Sequence, residues 1–269
     1  VKIDVSLLLF SGIGILIGVL SSMFGFGGGF IVVPILFLFL PDSIPGDYLM
    51  HTAIGTSLAV MIINSFNSTL NHAKQGNVLW PVFKKFVGYI AIGSLIGGIL
   101  AYFVDSNLLR IAFISMLSYV IISSLFKKTF TKTVDEASFQ LPSISSSIAV
   151  GSSIGFISTM MGIGGSVMTI PYLRGRNMSM LHAVALATPL GLPIATVGAV
   201  TYLITGLQVE AMPASTIGFI YIPAFFGFII GGFIGVPFGR KWAEKIPDQI
   251  YSKMYLILLF IVVVMMILG

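Results

Sequence analysis

Long apolar runs separated by short polar breaks dominate the chain. Stretches such as 7–20, 86–104 and 255–268 carry almost no polar side chain. The pattern predicts apolar helical segments at 3–23, 30–40, 51–72, 82–104 and 107–126, then at 143–161, 163–173, 181–203, 213–239 and 250–269. Roughly 20 apolar residues as helix span a bilayer core, so the expected fold is an all-α polytopic membrane protein. Segments 30–40 and 163–173 are exceptions: eleven residues make only about 16 Å of helix, too short to cross.

Composition agrees with the pattern. Of 269 residues 57% are apolar and 9% charged, and the mean hydropathy is +1.05. A soluble domain averages about a quarter charged residues, so soluble enzyme, nucleic-acid binder and disordered chain are excluded. The net charge of +5 finds its explanation in placement rather than in a nucleic-acid partner. Cysteine is absent, which removes disulfides, thiolate catalysis and iron–sulfur clusters within the chain. The run 3–23 is too long for a signal-peptide core and lacks a small-residue cleavage pattern; it is read as a retained helix.

The chain reads as two copies of one unit. Shifted by 137 positions, 18–36 falls on 155–173 with eight of nineteen residues identical: Gly18/Gly155, Ser21/Ser158, Met23/Met160, Gly25/Gly162, Gly27/Gly164, Gly28/Gly165, Pro34/Pro171 and Leu36/Leu173. With six residues dropped from the loop, the run from His51 to Ser57 lands on the run from His182 to Thr188. Further on, Gly93, Gly97 and Ala101 match Gly227, Gly231 and Gly235, although a shift of four fits nearly as well. The polar stretch 127–142, with Lys127, Lys128 and Lys132, is the expected linker between halves 1–126 and 143–269.

All basic residues except Lys2 and Arg110 fall in or beside four breaks: Lys74, Lys84 and Lys85; the linker lysines; Arg174 and Arg176; and Arg240, Lys241, Lys245 and Lys253. Lys and Arg in short loops mark the cytoplasmic side. The opposite breaks hold Asp42, Asp47, Asp105 with Arg110, and Glu210. Because the linker and the Arg174 break share a side, 143–173 must enter and return as a hairpin, and 3–40 does the same from outside. Each half is then a hairpin plus three crossings: spans 51–72, 82–104 and 107–126 in the first, and 181–203, 213–239 and 250–269 in the second. Three is odd, so the second half is expected upside down, with both chain ends outside. That is the inverted-repeat plan of secondary transporters.

Each hairpin breaks at glycine: Gly25, Gly27, Gly28 and Gly29 in one copy, and Gly162, Gly164, Gly165 and then Ser166 in the other, each nine residues before a proline. Irregular backbone at membrane depth survives where protein or water satisfies it. The helix that follows such a break offers free N–H groups and its positive dipole end, which bind anions without a charged side chain. Two such breaks meeting near the midplane would make one site. The glycines at Gly93/Gly97 and Gly227/Gly231/Gly235 read instead as close helix packing.

None of the nine acidic residues lies in mid-span, so a sodium or proton site built on carboxylates is not expected. A site made of dipoles suits a small anion. Ser57, Asn64, Ser68 and Asn71 share one helical face, either lining a wet path or bonding between helices; the matching positions are Thr188, Ala195, Ala199 and Tyr202. His51 and His182 open equivalent helices and are candidate gates. No metal-ligand spacing, P-loop or catalytic triad appears, so neither metal, cofactor nor catalytic residue is expected.

The duplicated turns ending in Pro34 and Pro171, each followed by a His-led helix with Thr56-Ser57 or Thr188, resemble the sulfite exporter TauE/SafE family over essentially the whole chain. The resemblance implies a permease of the cytoplasmic membrane for sulfite, sulfoacetate or related sulfonates, with the turn glycines, Thr56, Ser57 and Thr188 facing the substrate. The second copy departs from the first, with Ala187-Thr188-Pro189 where the first has Thr56-Ser57-Leu58, so a full second hydroxyl pair is missing. The expected partners are a small anion and the lipid bilayer. An anion channel, an uptake carrier for another small organic anion or thiosulfate, a membrane-embedded enzyme and a metal permease are the alternatives.

Overall fold

A computed structural model describes residues 5–25, 27–126, 139, 141–243 and 245–268. The expected linker lies mostly outside the described residues. Ten α-helices are found among the described residues. The first five are α1 (Val5–Phe24), α2 (Gly29–Phe39), α3 (Leu49–Lys74), α4 (Trp80–Ala101) and α5 (Ser106–Phe126). The second five are α6 (Ile144–Met161), α7 (Ser166–Arg174), α8 (Met180–Gly206), α9 (Ile222–Ala243) and α10 (Asp248–Leu268). Eight of the helices are long and apolar enough to cross a membrane; the described short ones are α2, with 11 residues, and α7, with 9. The protein is a mostly helical, polytopic membrane protein.

Glycine sets the closest helix contacts. A side chain on Gly93 or Gly97 of α4 would strike the backbone carbonyl of Ser152 or Phe156 in α6. Gly235 and Gly239 of α9 stand in the same relation to the carbonyls of Ile15 and Val19 in α1. In both pairs residue numbers rise together, so α1 runs parallel to α9 and α4 parallel to α6. If the 137-position shift holds, Ser152 and Phe156 match Ile15 and Val19, and these contacts would pair Gly93 and Gly97 with Gly235 and Gly239, eight residues later than the sequence register. A glycine at every fourth position looks the same after each turn, and the sequence pattern alone could not choose between turns.

The centre is α3 against α8. Leu58 meets Gly198 and Ser65 meets Gly191, so the two helices are antiparallel. Helices α5 and α10 are antiparallel as well, with Arg110 at the start of α5 donating to the Met266 carbonyl near the end of α10 at 2.7 Å. Along α3, Gly27 lies beside Ser65 whereas Gly29 lies beside Met61; α2 therefore runs against α3, while α1, through α9, runs with it. The backbone reverses between α1 and α2.

The predicted span 213–239 is only partly helix. Residues Thr216–Ile217 (β1) and Ile220–Tyr221 (β2) pair as an antiparallel ribbon turned by Gly218 at φ 56, and α9 starts at Ile222. The segment holds no charged residue before Arg240, which is why hydropathy alone extended the helix through it.

The ends of the bundle differ in charge. One gathers Lys74, Lys84, Lys85, Arg176, Lys241 and Lys245, and there Lys85 donates to the Pro142 carbonyl at 3.0 Å. Arg174, expected in a loop, is instead a fully buried residue at the end of α7. It pairs with Asp248 at 2.8 Å, and Asp248 also accepts the Met180 N–H at 2.6 Å, capping α8. At the other end Ser106 plays the capping part, its hydroxyl accepting the Met50 N–H at 2.9 Å.

Candidate functional site

The first break is built from left-handed glycines. Helix α1 closes with the Gly25 N–H donating to Ser21; Gly25, Gly27 and Gly28 then take φ of 72, 62 and 91, a region that costs other residues roughly 1–2 kcal/mol each. Gly28 is the N-cap of α2, and its carbonyl accepts the N–H groups of Ile31 and Val32. The second break is tighter. Gly162, at φ 66, caps α6, and the following Ile163 N–H reaches back to the Ser158 carbonyl at 2.9 Å, a helix-ending motif that glycine makes possible. Gly165, at φ −52, is right-handed, and Ser166 replaces the fourth glycine, its hydroxyl 3.5 Å from the Gly164 carbonyl.

The breaks touch. A side chain on Gly29 would come within 2.8 Å of the Gly162 carbonyl oxygen and 2.9 Å of the Gly164 nitrogen. Ser57 of α3 bridges them, its hydroxyl oxygen 2.9 Å from both the Gly29 and the Gly162 carbonyls. Thr188, at the matching position of α8, donates to the Val184 carbonyl at 2.9 Å and lies 2.8 Å from where a Gly25 side chain would begin. Each of these two helices therefore sets a hydroxyl against a break in the other half. The junction gathers the Gly29 and Gly162 carbonyl oxygens beside the starts of α2 and α7.

Other expected residues separate into groups. Asn64 is 2% exposed, with its side-chain nitrogen 3.6 Å from the position of a Gly28 side chain. Thr56 faces away from the breaks, since its hydroxyl accepts the Tyr221 N–H of β2 at 2.8 Å. His51 is buried at the far end of α3. Its Nε2 lies 3.1 Å from the Ala101 carbonyl and its ring packs against Phe219, which also stacks on Tyr48. His182 is only half-buried, next to the α8 cap Ser179. With Leu79, Phe139 and Met178 it lines a 250 Å³ cavity. The two histidines thus sit in unlike surroundings. Among the described residues no three His, Asp or Glu side chains gather in one place.

The turn residues are buried, and the cavities of 520 and 270 Å³ lie away from them, along the outer faces of α8. What marks the junction is a set of buried polar atoms with no protein partner, Asn64 Nδ2, Ser65 Oγ and Thr169 Oγ1; Ser21 Oγ, Ser158 Oγ and Thr159 Oγ1, also unpartnered, lie within four residues of the breaks in sequence. Ser65 Oγ touches the Gly27 position, and Thr169 Oγ1 lies 3.6 Å from that of Gly165. Buried polar groups are nearly always bonded, and a cluster of exceptions is where water or a ligand belongs. The sequence reading missed Ser65, which sits one place off the Ser57–Asn64–Ser68 stripe. It met Ser21 and Ser158 only as repeat identities, although their recurrence immediately before each break was the signal.

The profile of the family described as sulfite exporter TauE/SafE matches residues 10–266. A probable membrane transporter protein of Haemophilus influenzae is 28% identical over 255 residues, covering 94% of this chain and 95% of its own. A probable membrane transporter protein of Methanocaldococcus jannaschii is 30% identical over 254 residues, 90% of this chain and 86% of its own. One of Bacillus subtilis is 26% identical over 243 residues, 88% and 91% respectively. No solved structure matches.

Proposed function

Since the chain belongs to the sulfite exporter TauE/SafE family of membrane transporters, we propose that it carries a small sulfur-containing anion, sulfite or an organosulfonate, out of the cell. The site is the junction of the two glycine breaks, with Gly25, Gly27, Gly28 and Gly29 on one side and Gly162, Gly164, Gly165 and Ser166 on the other. Ser57, Asn64 and Thr188 complete it, and His51 and His182 stand at the two approaches.

The observation that carries this reading is the coincidence of two helix starts with unpartnered side-chain donors at one buried point. Helix N-termini attract negative charge, and among the described residues no acidic side chain touches the junction to repel it. Transport follows as alternating access between inverted halves. The antiparallel pairing of α3 with α8 and of α5 with α10, and the like seams α1–α9 and α4–α6, support that plan. The site is closed in this conformation. An interior-negative potential drives a monoanion outward by about 2.3 kcal/mol per 100 mV, so export requires no coupling cation. The basic end is then cytoplasmic, with both chain ends outside.

Calorimetric titration of purified protein with sulfite, alkanesulfonates, thiosulfate and small carboxylates tests the reading. Saturable binding of a sulfur oxyanion, lost in Gly28→Leu and Gly165→Leu proteins that still purify as folded, is the expected result. Normal binding by both variants would reduce the breaks to scaffold.

A further inference from the structure

Four polar side chains of α3 leave the glycine junction in a row. Asn64, Ser65, Ser68 and Thr69 lie on one helical face and are 2%, 1%, 1% and 8% exposed. Asn64 Nδ2, Ser65 Oγ, Ser68 Oγ and Thr69 Oγ1 all lack a partner. Buried His72 continues the face one turn further, and Lys74 ends the helix at the basic end of the bundle.

A hydroxyl within a membrane helix normally bonds the carbonyl one turn back. In α8 it does: Thr188, Thr196, Thr201 and Thr205 donate to Val184, Leu192, Val197 and Thr201 at 2.8–2.9 Å. The hydroxyls of Ser65, Ser68 and Thr69 do neither this nor bond a neighbouring helix, so interhelical bonding does not account for the row. The matching α8 positions are Ala195, Thr196, Ala199 and Val200, so the feature belongs to one half only. Contiguous buried donors of this kind are satisfied by water or by a polar solute. Toward the opposite end the way is shut by fully buried Phe219, stacked on Tyr48 and packed on His51.

We propose that this face of α3 lines a hydrated conduit joining the glycine junction to the basic end, its hydroxyl and amide donors solvating a small oxyanion in passage. The proposal rests on the anion-carrier reading, but its test is separable. The chain has no cysteine, so Ser65→Cys, Ser68→Cys and Thr69→Cys can be made singly. Each is reacted in proteoliposomes with a membrane-impermeant, negatively charged methanethiosulfonate offered at the basic end. Reaction at least about tenfold faster than for Ala195→Cys and Ala199→Cys is expected, because only a solvated thiol is reactive.

Rates no greater than those controls at all three positions would overturn the conduit. Fast labelling, with Gly28→Leu and Gly165→Leu still binding normally, would keep the conduit and remove the glycine site, so the two readings fail separately. Thr69→Val supplies the second arm, exchanging a hydroxyl for a methyl of like size. A conduit requires flux of radiolabelled sulfite to fall about fivefold or more with no drop in unfolding temperature. Unchanged flux would make the row a dry seam.

Discussion

The Ser57 hydroxyl lies 2.9 Å from the carbonyl of Gly162, 105 residues away and at the break of the other half. Because the same oxygen is 2.9 Å from the Gly29 carbonyl and has a single proton, it shares that proton between the breaks. Thr188 answers it from α8, pressed against Gly25. Under the proposed alternating access, rocking of one half against the other would loosen these contacts. Ser57→Ala should therefore lower stability by about 1 kcal/mol, the usual net worth of one buried hydrogen bond, and weaken anion binding. Thr188→Val, whose hydroxyl only bonds its own helix, should do less. Thermal unfolding and calorimetry on the two variants give the comparison.

Left-handed glycines should be less tolerant than their right-handed counterpart. Gly27→Ala places a methyl on Ser65 and Met61 in a backbone region at φ 62, combining a conformational cost of about 1–2 kcal/mol with a clash. Gly165→Ala keeps φ near −52, and its methyl meets the movable tip of Ile194 and the Ile154 Cγ2 methyl at 3.2 Å. The expected order of damage, in yield of folded protein and in binding, is Gly27→Ala well above Gly165→Ala. Equal damage would mean that contact, rather than backbone geometry, sets the requirement.

Arg174 is fully buried, and its partner Asp248, 21% exposed, also caps α8. Removing one partner from a fully buried pair costs about 3–5 kcal/mol and less where one partner meets solvent, whereas replacing both by apolar groups can be neutral. Asp248→Ala is thus expected to destabilise more than the double variant Arg174→Met with Asp248→Leu. Asp248→Asn should fall between them, because its amide oxygen still accepts the Met180 N–H. Unfolding midpoints of the three variants beside the unaltered protein give the order.

The membrane class and the helix breaks were legible because each leaves a local pattern in residue type. Other features depend on distance. Nothing near Arg174 announces that its counter-ion lies 74 residues on, so a loop was the natural reading. The glycine seams repeat every turn and hide their own register. The ribbon from Thr216 to Tyr221 is as apolar as a span, and only its pairing and the Thr56 contact distinguish it. Ser65 was overlooked for a similar reason: a helical stripe predicts a face, not which hydroxyl on it goes unpaired.

That ribbon supplies the last prediction. Phe219 is fully buried between Tyr48, His51 and Tyr202, at an end where a short loop would leave space. The corresponding connection in the first half is the short stretch from Gln75 to Leu79, and there the half-buried His182 borders a cavity. Truncating a buried phenylalanine costs about 3–5 kcal/mol in a packed core, and here it also unplugs the approach to His51. Phe219→Ala combined with Ser57→Cys should therefore react from the acidic end with a charged thiol reagent that leaves Ser57→Cys alone untouched. If the ring is only core packing, the double variant will lose stability and gain no reactivity, because the neighbouring side chains will collapse into the space.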